Sequence, residues 1–185
     1  MSGFSYHVRV NHISPAIIKL QSLGADTTPI MRAMGTTFKS ITEGNFNSVG
    51  ARFRPKRWPN LLTVTMDKTR EPPEFKFQRT VPSILHKSGT LQQSFHLEVT
   101  RSSATLRSPM IYAAIHQFGG VIRAKKSFLR FQIPYLSDFW FLKSVTIPAR
   151  PFFPIENGRL TPAAEQLIVR AGMRAIARAV KPTRE

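Results

Sequence analysis

From Thr28 to Gly44 the sequence TPIMRAMGTTFKSITEG places Ile30, Met34, Phe38 and Ile41 three to four residues apart, the spacing of one face of an α-helix. Thr28 can cap this run, Pro29 suits the first helical position, where a backbone N–H has no partner anyway, and Gly44 is placed to end it. A helix with one apolar face must bury that face against another element. A second such helix closes the chain. Thr161 and Pro162 open it, Ile168, Ala171, Ala175 and Ala179 form an apolar stripe, and Arg170, Arg174, Arg178 and Lys181 fall on another face.

Outside these helices the period changes from helical to alternating. SYHVRVNH reads as a first strand, with Tyr6, Val8 and Val10 on one side and His7, Arg9 and Asn11 on the other. SILHKSGTLQQSF reads as a short helical element broken at Gly89. FHLEVTR and ATLRS then form a hairpin around Ser102 and Ser103, with Phe95, Leu97 and Val99 against Ala104 and Leu106 on one buried face. Residues 121–147 predict a second, longer ribbon. Residues 45–83 show little periodicity and contain Pro55, Pro59, Pro72, Pro73 and Pro82, so they predict an extended excursion with one helical turn at most. The expectation is an α+β fold over residues 1–185 as one domain: a mostly antiparallel sheet packed against two main helices, with long extended loops or ribbon arms.

The chain has 185 residues and no cysteine, which removes disulfides, thiolate zinc sites and a cysteine nucleophile. No signal-peptide pattern and no run of eighteen apolar residues is present, so neither secretion by a leader nor a membrane span is expected. No nucleophile elbow, zinc-protease motif or glycine-rich phosphate loop occurs, and the histidines at 7, 12, 86, 96 and 116 lack ligand spacing. Neither a catalytic residue nor a metal or cofactor is expected. His116 has no neighbouring acid to orient it as a base and reads as a structural histidine bonded to the backbone.

Charge is the strongest compositional signal. Lys and Arg number 27 against 10 acids, a formal net charge of +17. Such a field attracts polyanions, and nucleic acid or an acidic protein surface satisfies it equally well. RFRPKR sets Arg52, Arg54, Lys56 and Arg57 beside Trp58, and six basic residues but no acid lie between Val99 and Ser137. Phe128, Phe131 and Tyr135 could stack on bases, but the alternating pattern favours core or interface positions on a ribbon. Near the ribbon tip, Tyr135, Phe139, Trp140 and Phe141 either fold over the chain's own core or dock another subunit. With the RFRPKR cluster and Trp58, they form the candidate interface.

Three further pieces carry a resemblance. They are ILHKSGTLQQSF at 84–95, YAAIHQFGG at 112–120 and TIPARPFFPI at 146–155, followed by the C-terminal helix. On residues alone, Tyr112, Ile115 and Phe118 recur at spacings of three and would pack inward, His116 and Gln117 would act as polar locks, and Gly119 and Gly120 let the backbone reverse. Pro148 and Pro151 hold the chain extended around Arg150, whose guanidinium can fork to a carboxylate or to carbonyls. In this order the pieces resemble the Mu-like phage virion morphogenesis proteins, also described as tail completion proteins. The resemblance makes Gly89, Leu91, Tyr112, His116, Gln117, Phe118, Gly119, Pro148, Arg150, Pro151 and Phe152 structural motif positions. Two departures are the long Val121–Val145 connection and Phe153-Pro154-Ile155 in place of a leucine-glycine sequence.

The resemblance implies a non-enzymatic virion protein of a tailed phage, made in the host cytoplasm. It would form a homo-oligomeric, hexameric ring at the head-proximal end of the tail or in the neck, contacting connector and tail-tube or terminator proteins, with non-specific contact to packaged DNA. A tail terminator is the alternative within this class. A basic nucleic-acid-binding protein is the alternative outside it.

Overall fold

The computed structural model describes residues 4–7, 14–22, 24–47, 52–59, 61–67, 74–80, 85, 88–132 and 139–180. The elements run β1 (Phe4–His7), α1 (Ser14–Ser22), α2 (Thr28–Gly44), β2 (Leu61–Asp67), β3 (Glu74–Thr80), α3 (Thr90–Gln93), β4 (His96–Val99) and β5 (Ala104–Ser108). They continue with α4 (Ala113–Phe118), β6 (Gly120–Arg123), β7 (Leu129–Gln132), β8 (Phe139–Leu142), β9 (Ser144–Ile147), β10 (Ile155–Glu156), β11 (Arg159–Leu160) and α5 (Pro162–Val180). The fold is α+β and its strand pairs are antiparallel, as expected. The β-structure is divided: one three-stranded sheet of order β1-β5-β4 and four two-stranded pieces among the described residues.

α2 has the predicted limits and buries Ile30, Met34, Phe38 and Ile41, joined by Met31, Gly35 and Thr42. Its start differs from expectation. Thr27, not Thr28, occupies the capping position, and its hydroxyl donates to the Arg101 carbonyl in the β4–β5 turn, where Gln21 Nε2 also donates at 2.8 Å. The helix is thereby fixed to the hairpin it packs on. A Cβ at Gly35 would lie 2.7 Å from Leu97 Cδ1 and 2.9 Å from Ala104 Cβ, so glycine sets how closely α2 approaches β4 and β5.

The hairpin itself has the predicted register, with Leu97 opposite Leu106 and Val99 opposite Ala104. Its serine-containing turn is closed from within: Thr100 N–H donates to the Ser103 carbonyl at 2.8 Å, and Thr100 Oγ1 accepts from Ser103 N–H at 3.0 Å. α5 packs along α2. Ala164, Ile168 and Gly172, four apart, form its buried seam, with Ala171 and Ala175 at the margin. Ala179 is exposed, a correction to the expected stripe; alanine is a weak marker of burial because its methyl gains little from either environment.

The excursion at 45–83 needs the larger correction. It contains the β2–β3 hairpin, paired from Leu61↔Thr80 to Asp67↔Glu74, as well as Phe53 and Trp58, both buried in the core. LLTVTMD and EFKFQRT alternate in strand-forming residues, a signal masked by the surrounding charge and prolines. α1 and the small β10–β11 hairpin were also not anticipated. The latter turns on Asn157-Gly158, both at positive φ, the residue pair that a two-residue hairpin turn favours. Gly89, at φ +68°, precedes α3 and does not interrupt it. The expected first strand is described only over Phe4–His7; its continuation to His12 lies outside the described residues.

The core is largely aromatic. Phe38, Phe46, Phe95, Phe152 and Phe153 pack with ring centres 5.0–6.0 Å apart, and Trp58 meets Phe46 edge-on at 5.8 Å. Tilted and offset pairs of this kind add roughly 0.5–1.5 kcal/mol each beyond the area they bury. Phe152 and Phe153 are central to this cluster, yet their segment is neither helix nor strand.

Candidate functional site

A buried irregular segment leaves its backbone N–H and C=O groups without a ladder, and each must find another partner. Residues 150–153 find theirs in three separate parts of the chain. Arg150 N–H donates to the His116 carbonyl at 2.7 Å. The Pro151 carbonyl accepts from Trp58 Nε1–H at 2.8 Å, and the Phe152 carbonyl accepts from Asn45 Nδ2 at 2.7 Å. Gln117 Oε1 accepts from the N–H groups of both Phe152 and Phe153, each at 3.0 Å. Two of the three motif pieces are thus halves of one clasp: YAAIHQFGG holds ARPFF.

The local geometry of α4 explains which residues do the holding. Gln117 and Ala113, four apart, are its buried positions. Tyr112 and Phe118 point the other way; Phe118 is 65 % exposed, which corrects the expectation that both pack inward. The aromatic spacing suggested a buried face, but the strap at residues 150–153 presents N–H groups outside any strand ladder, and a side chain with an acceptor oxygen satisfies two of them. Gly119 ends the helix at φ +75°, and a Cβ there would lie 2.8 Å from Ala149 N, so the glycine is required both by conformation and by space. A Cβ at Gly120 would meet only ordinary contacts.

His116 and Arg150 adjoin in this clasp. His116 is partly buried, with the Tyr112 ring edge-on at 5.9 Å, and its Nδ1 is buried without a hydrogen-bond partner. Burial, followed by the positive charge of Arg150, holds the imidazole below its ordinary pKa and therefore keeps it neutral. Arg150 is buried, and desolvation lowers its proton affinity as well. Its Nε has no partner among the described residues, and its backbone N–H bonds to α4. Pro148 is exposed and Pro151 buried. Leu91 is buried in the core, and Gln92 Nε2 donates to the Glu43 carbonyl at 2.9 Å, joining α3 to the end of α2.

Among the described residues there is no cluster of three His, Asp or Glu that could hold a metal ion. A groove along α2, lined in part by Thr28, Arg32, Thr36, Ser40, Arg52 and Phe53, contains one acid, Asp26. Hydrogen bonding from Thr28, through its side-chain hydroxyl first and then through its N–H at 3.0 Å, holds the pKa of that carboxylate below the usual value.

The candidate interface residues separate by position. Trp58 is 4 % exposed and belongs to the core, a correction that follows from its indole N–H being needed by Pro151. Arg54 lies over the indole with its guanidinium carbon 3.8 Å from the ring centre, and its Nε–H donates to the Asn45 carbonyl at 2.6 Å. Arg52 lies 4.5 Å over the Phe53 ring. Arg52, Lys56 and Arg57 are exposed and Arg54 only partly so.

On the ribbon, Phe139 and Trp140 fall in β8, Phe141 is 58 % exposed, and Tyr135 lies outside the described residues. β6 pairs with β9 and β7 with β8, and Ala124 N–H donates to the Lys143 carbonyl at 2.9 Å, so the two ladders are one ribbon. Between the Arg123↔Ser144 and Leu129↔Leu142 pairs, residues Ala124 to Phe128 stand against Lys143 alone. This wide bulge is invisible to an alternation count, because the extra residues break the pattern they interrupt.

No helix among the described residues is long and apolar enough to cross a membrane. No curated protein and no solved structure matches the chain. The sequence matches the phage virion morphogenesis family over residues 8–176, a span that takes in both halves of the clasp and most of α5. The chain therefore belongs to the phage virion morphogenesis family.

Proposed function

We propose that the chain is a structural subunit of a tailed phage virion. It closes a homo-oligomeric, hexameric ring at the head-proximal end of the tail or in the neck and completes the tail for joining to the head. The observation that carries this reading is the clasp: His116, Gln117, Arg150, Pro151 and Phe152, motif positions by the resemblance, are engaged in bonds within the chain, which supports architecture and assembly surfaces over a reaction centre as its output. A closed ring needs two different patches that meet on neighbouring copies. The β2–β3 hairpin and the ribbon are extended pieces that supply such surfaces, the hairpin toward neighbouring copies and the ribbon toward connector or tail-tube proteins.

The test is to remove the chain during infection and image the products. Filled heads beside unjoined, otherwise normal tails are expected, with a ring of this subunit at the tail end or neck of wild-type particles. Normal particles made without the chain would overturn the reading, and tubes of uncontrolled length would favour a tail terminator. The net charge of +17 supports one reading of another class, a nucleic-acid-binding protein. It requires DNA affinity that persists near physiological salt, where merely electrostatic binding falls steeply.

A further inference from the structure

Val121 and Ile122 are successive residues of β6 and so point to opposite faces of the ribbon, yet both are exposed. Phe128, Phe141 and Leu142 are exposed as well. A two-stranded ribbon with neither face covered is marginal in water, and exposed apolar surface of this extent marks a contact with another molecule. The charge specifies which kind. Residues 120–132 and 139–147 include Arg123, Lys125, Lys126, Arg130 and Lys143 and no Asp or Glu. Lys125, Lys126 and Phe128 all lie in the bulge, and all three are exposed.

We propose that this bulge docks on an acidic surface of a different protein, one that presents carboxylates to Lys125 and Lys126 around an apolar seat for Phe128 and Phe141. The arrangement is that of a protein interface, an apolar centre with a charged rim. A second copy of the chain fits poorly: it carries a net charge of +17, and its Asp26, Glu43 and Glu98 already face Arg101, Lys39 and Arg107 of their own chain. Nucleic acid fits poorly too, since phosphates and base edges offer nothing to the aliphatic Val121, Ile122 and Leu142. The inference rests on the virion reading only for where the partner is found.

The experiment places a photoreactive benzophenone side chain at Phe128 of the full chain, irradiates infected cells and purified particles, and identifies the cross-linked peptide by mass spectrometry. The expected product is a segment of another protein containing Asp or Glu beside apolar residues. Its yield should fall about tenfold in the Lys125→Glu/Lys126→Glu variant, by reversal of the attraction across the rim. It should return when the carboxylates of the cross-linked segment are changed to Lys. Because both lysines are exposed, the variant should melt with the parent. Should it melt earlier, Lys125→Gln/Lys126→Gln is used instead, and its yield must still fall. Cross-linking to a second copy or to DNA, no cross-link at all, or a yield indifferent to the lysines would overturn the proposal. An acidic partner found outside the particle, with the chain absent from purified virions, would instead sink the virion reading and leave the docking chemistry standing.

Discussion

Arg54 lies over Trp58 with its guanidinium carbon 3.8 Å from the ring centre, so the arginine covers one face of an indole whose N–H is bonded to the Pro151 carbonyl. The basic cluster around it therefore contains arginines that cover core rings, Arg54 over Trp58 and Arg52 over Phe53, beside the exposed Lys56 and Arg57. Arg54→Glu should destabilise the chain by about 1–3 kcal/mol, from the lost cation–π contact and the lost bond to Asn45. Arg57→Glu, on an exposed residue, should change stability by no more than about 0.5 kcal/mol. Urea unfolding of both variants checks this, and equal losses would contradict it.

Gln117→Leu keeps the volume of the clasp's central side chain but removes the acceptor for two buried N–H groups. With each orphaned donor costing about 1–3 kcal/mol, a total loss of about 2–5 kcal/mol is expected. The denaturant midpoint should fall while the slope stays constant. A loss under about 0.5 kcal/mol, within the range of an ordinary surface change, would mean that the clasp does not hold the strap.

The glycines separate conformational strain from crowding. Gly119 and Gly158 share a φ of +75°, but a Cβ at Gly119 would meet backbone at 2.8 Å, whereas at Gly158 it would meet nothing within 4 Å. Gly158→Ala should cost about 1–2 kcal/mol, the usual penalty of a left-handed conformation. Gly119→Ala adds a collision with Ala149 and Ile147 and should cost clearly more, or prevent folding. Thermal melts of the pair decide, and similar losses would show that the strap can shift.

Protonation of His116 should destabilise the fold. Burial and Arg150 hold its pKa in the folded chain below the ordinary value of about 6.5. The unfolded chain therefore binds the proton more readily, and this contribution to stability is complete above about pH 6.5 and is lost as the pH falls through that value toward the lower folded pKa. Unfolding free energies measured from about pH 7.5 down to pH 5.5 should decline less steeply in His116→Gln than in the parent. An unchanged pH slope would remove His116 as the source.

What the sequence discloses here depends on whether a residue's partner is near or far along the chain. α2, the β4–β5 pairing and the start of α5 follow from local periodicity, and all three appear where the pattern put them, with Thr27 in place of Thr28 as the cap of α2. The β2–β3 hairpin was hidden because its strands are separated by a charged, proline-bearing stretch that reads as loop. At the clasp, the identities of Gln117 and Gly119 were legible and their purpose was not. Nothing within ten residues of Gln117 announces that its oxygen will meet two amides 35 and 36 positions away. For the same reason Trp58 passed for a surface aromatic: its neighbours in sequence are basic, while its hydrogen-bond partner is 93 positions distant.

Those separations also fix an order of events during synthesis. Asn45 reaches Phe152 across 107 positions and Trp58 reaches Pro151 across 93, so the residues that receive them emerge long after the residues that donate. Long loops must close before these contacts return any free energy, and such closures come late and slowly. A nascent chain that has not yet exposed Phe152 and Phe153 lacks two central rings of its core and the acceptors for two buried donors. Closure of the core is thus delayed until residues 150–153 have been made, and a product truncated before them lacks the strap on which its fold closes.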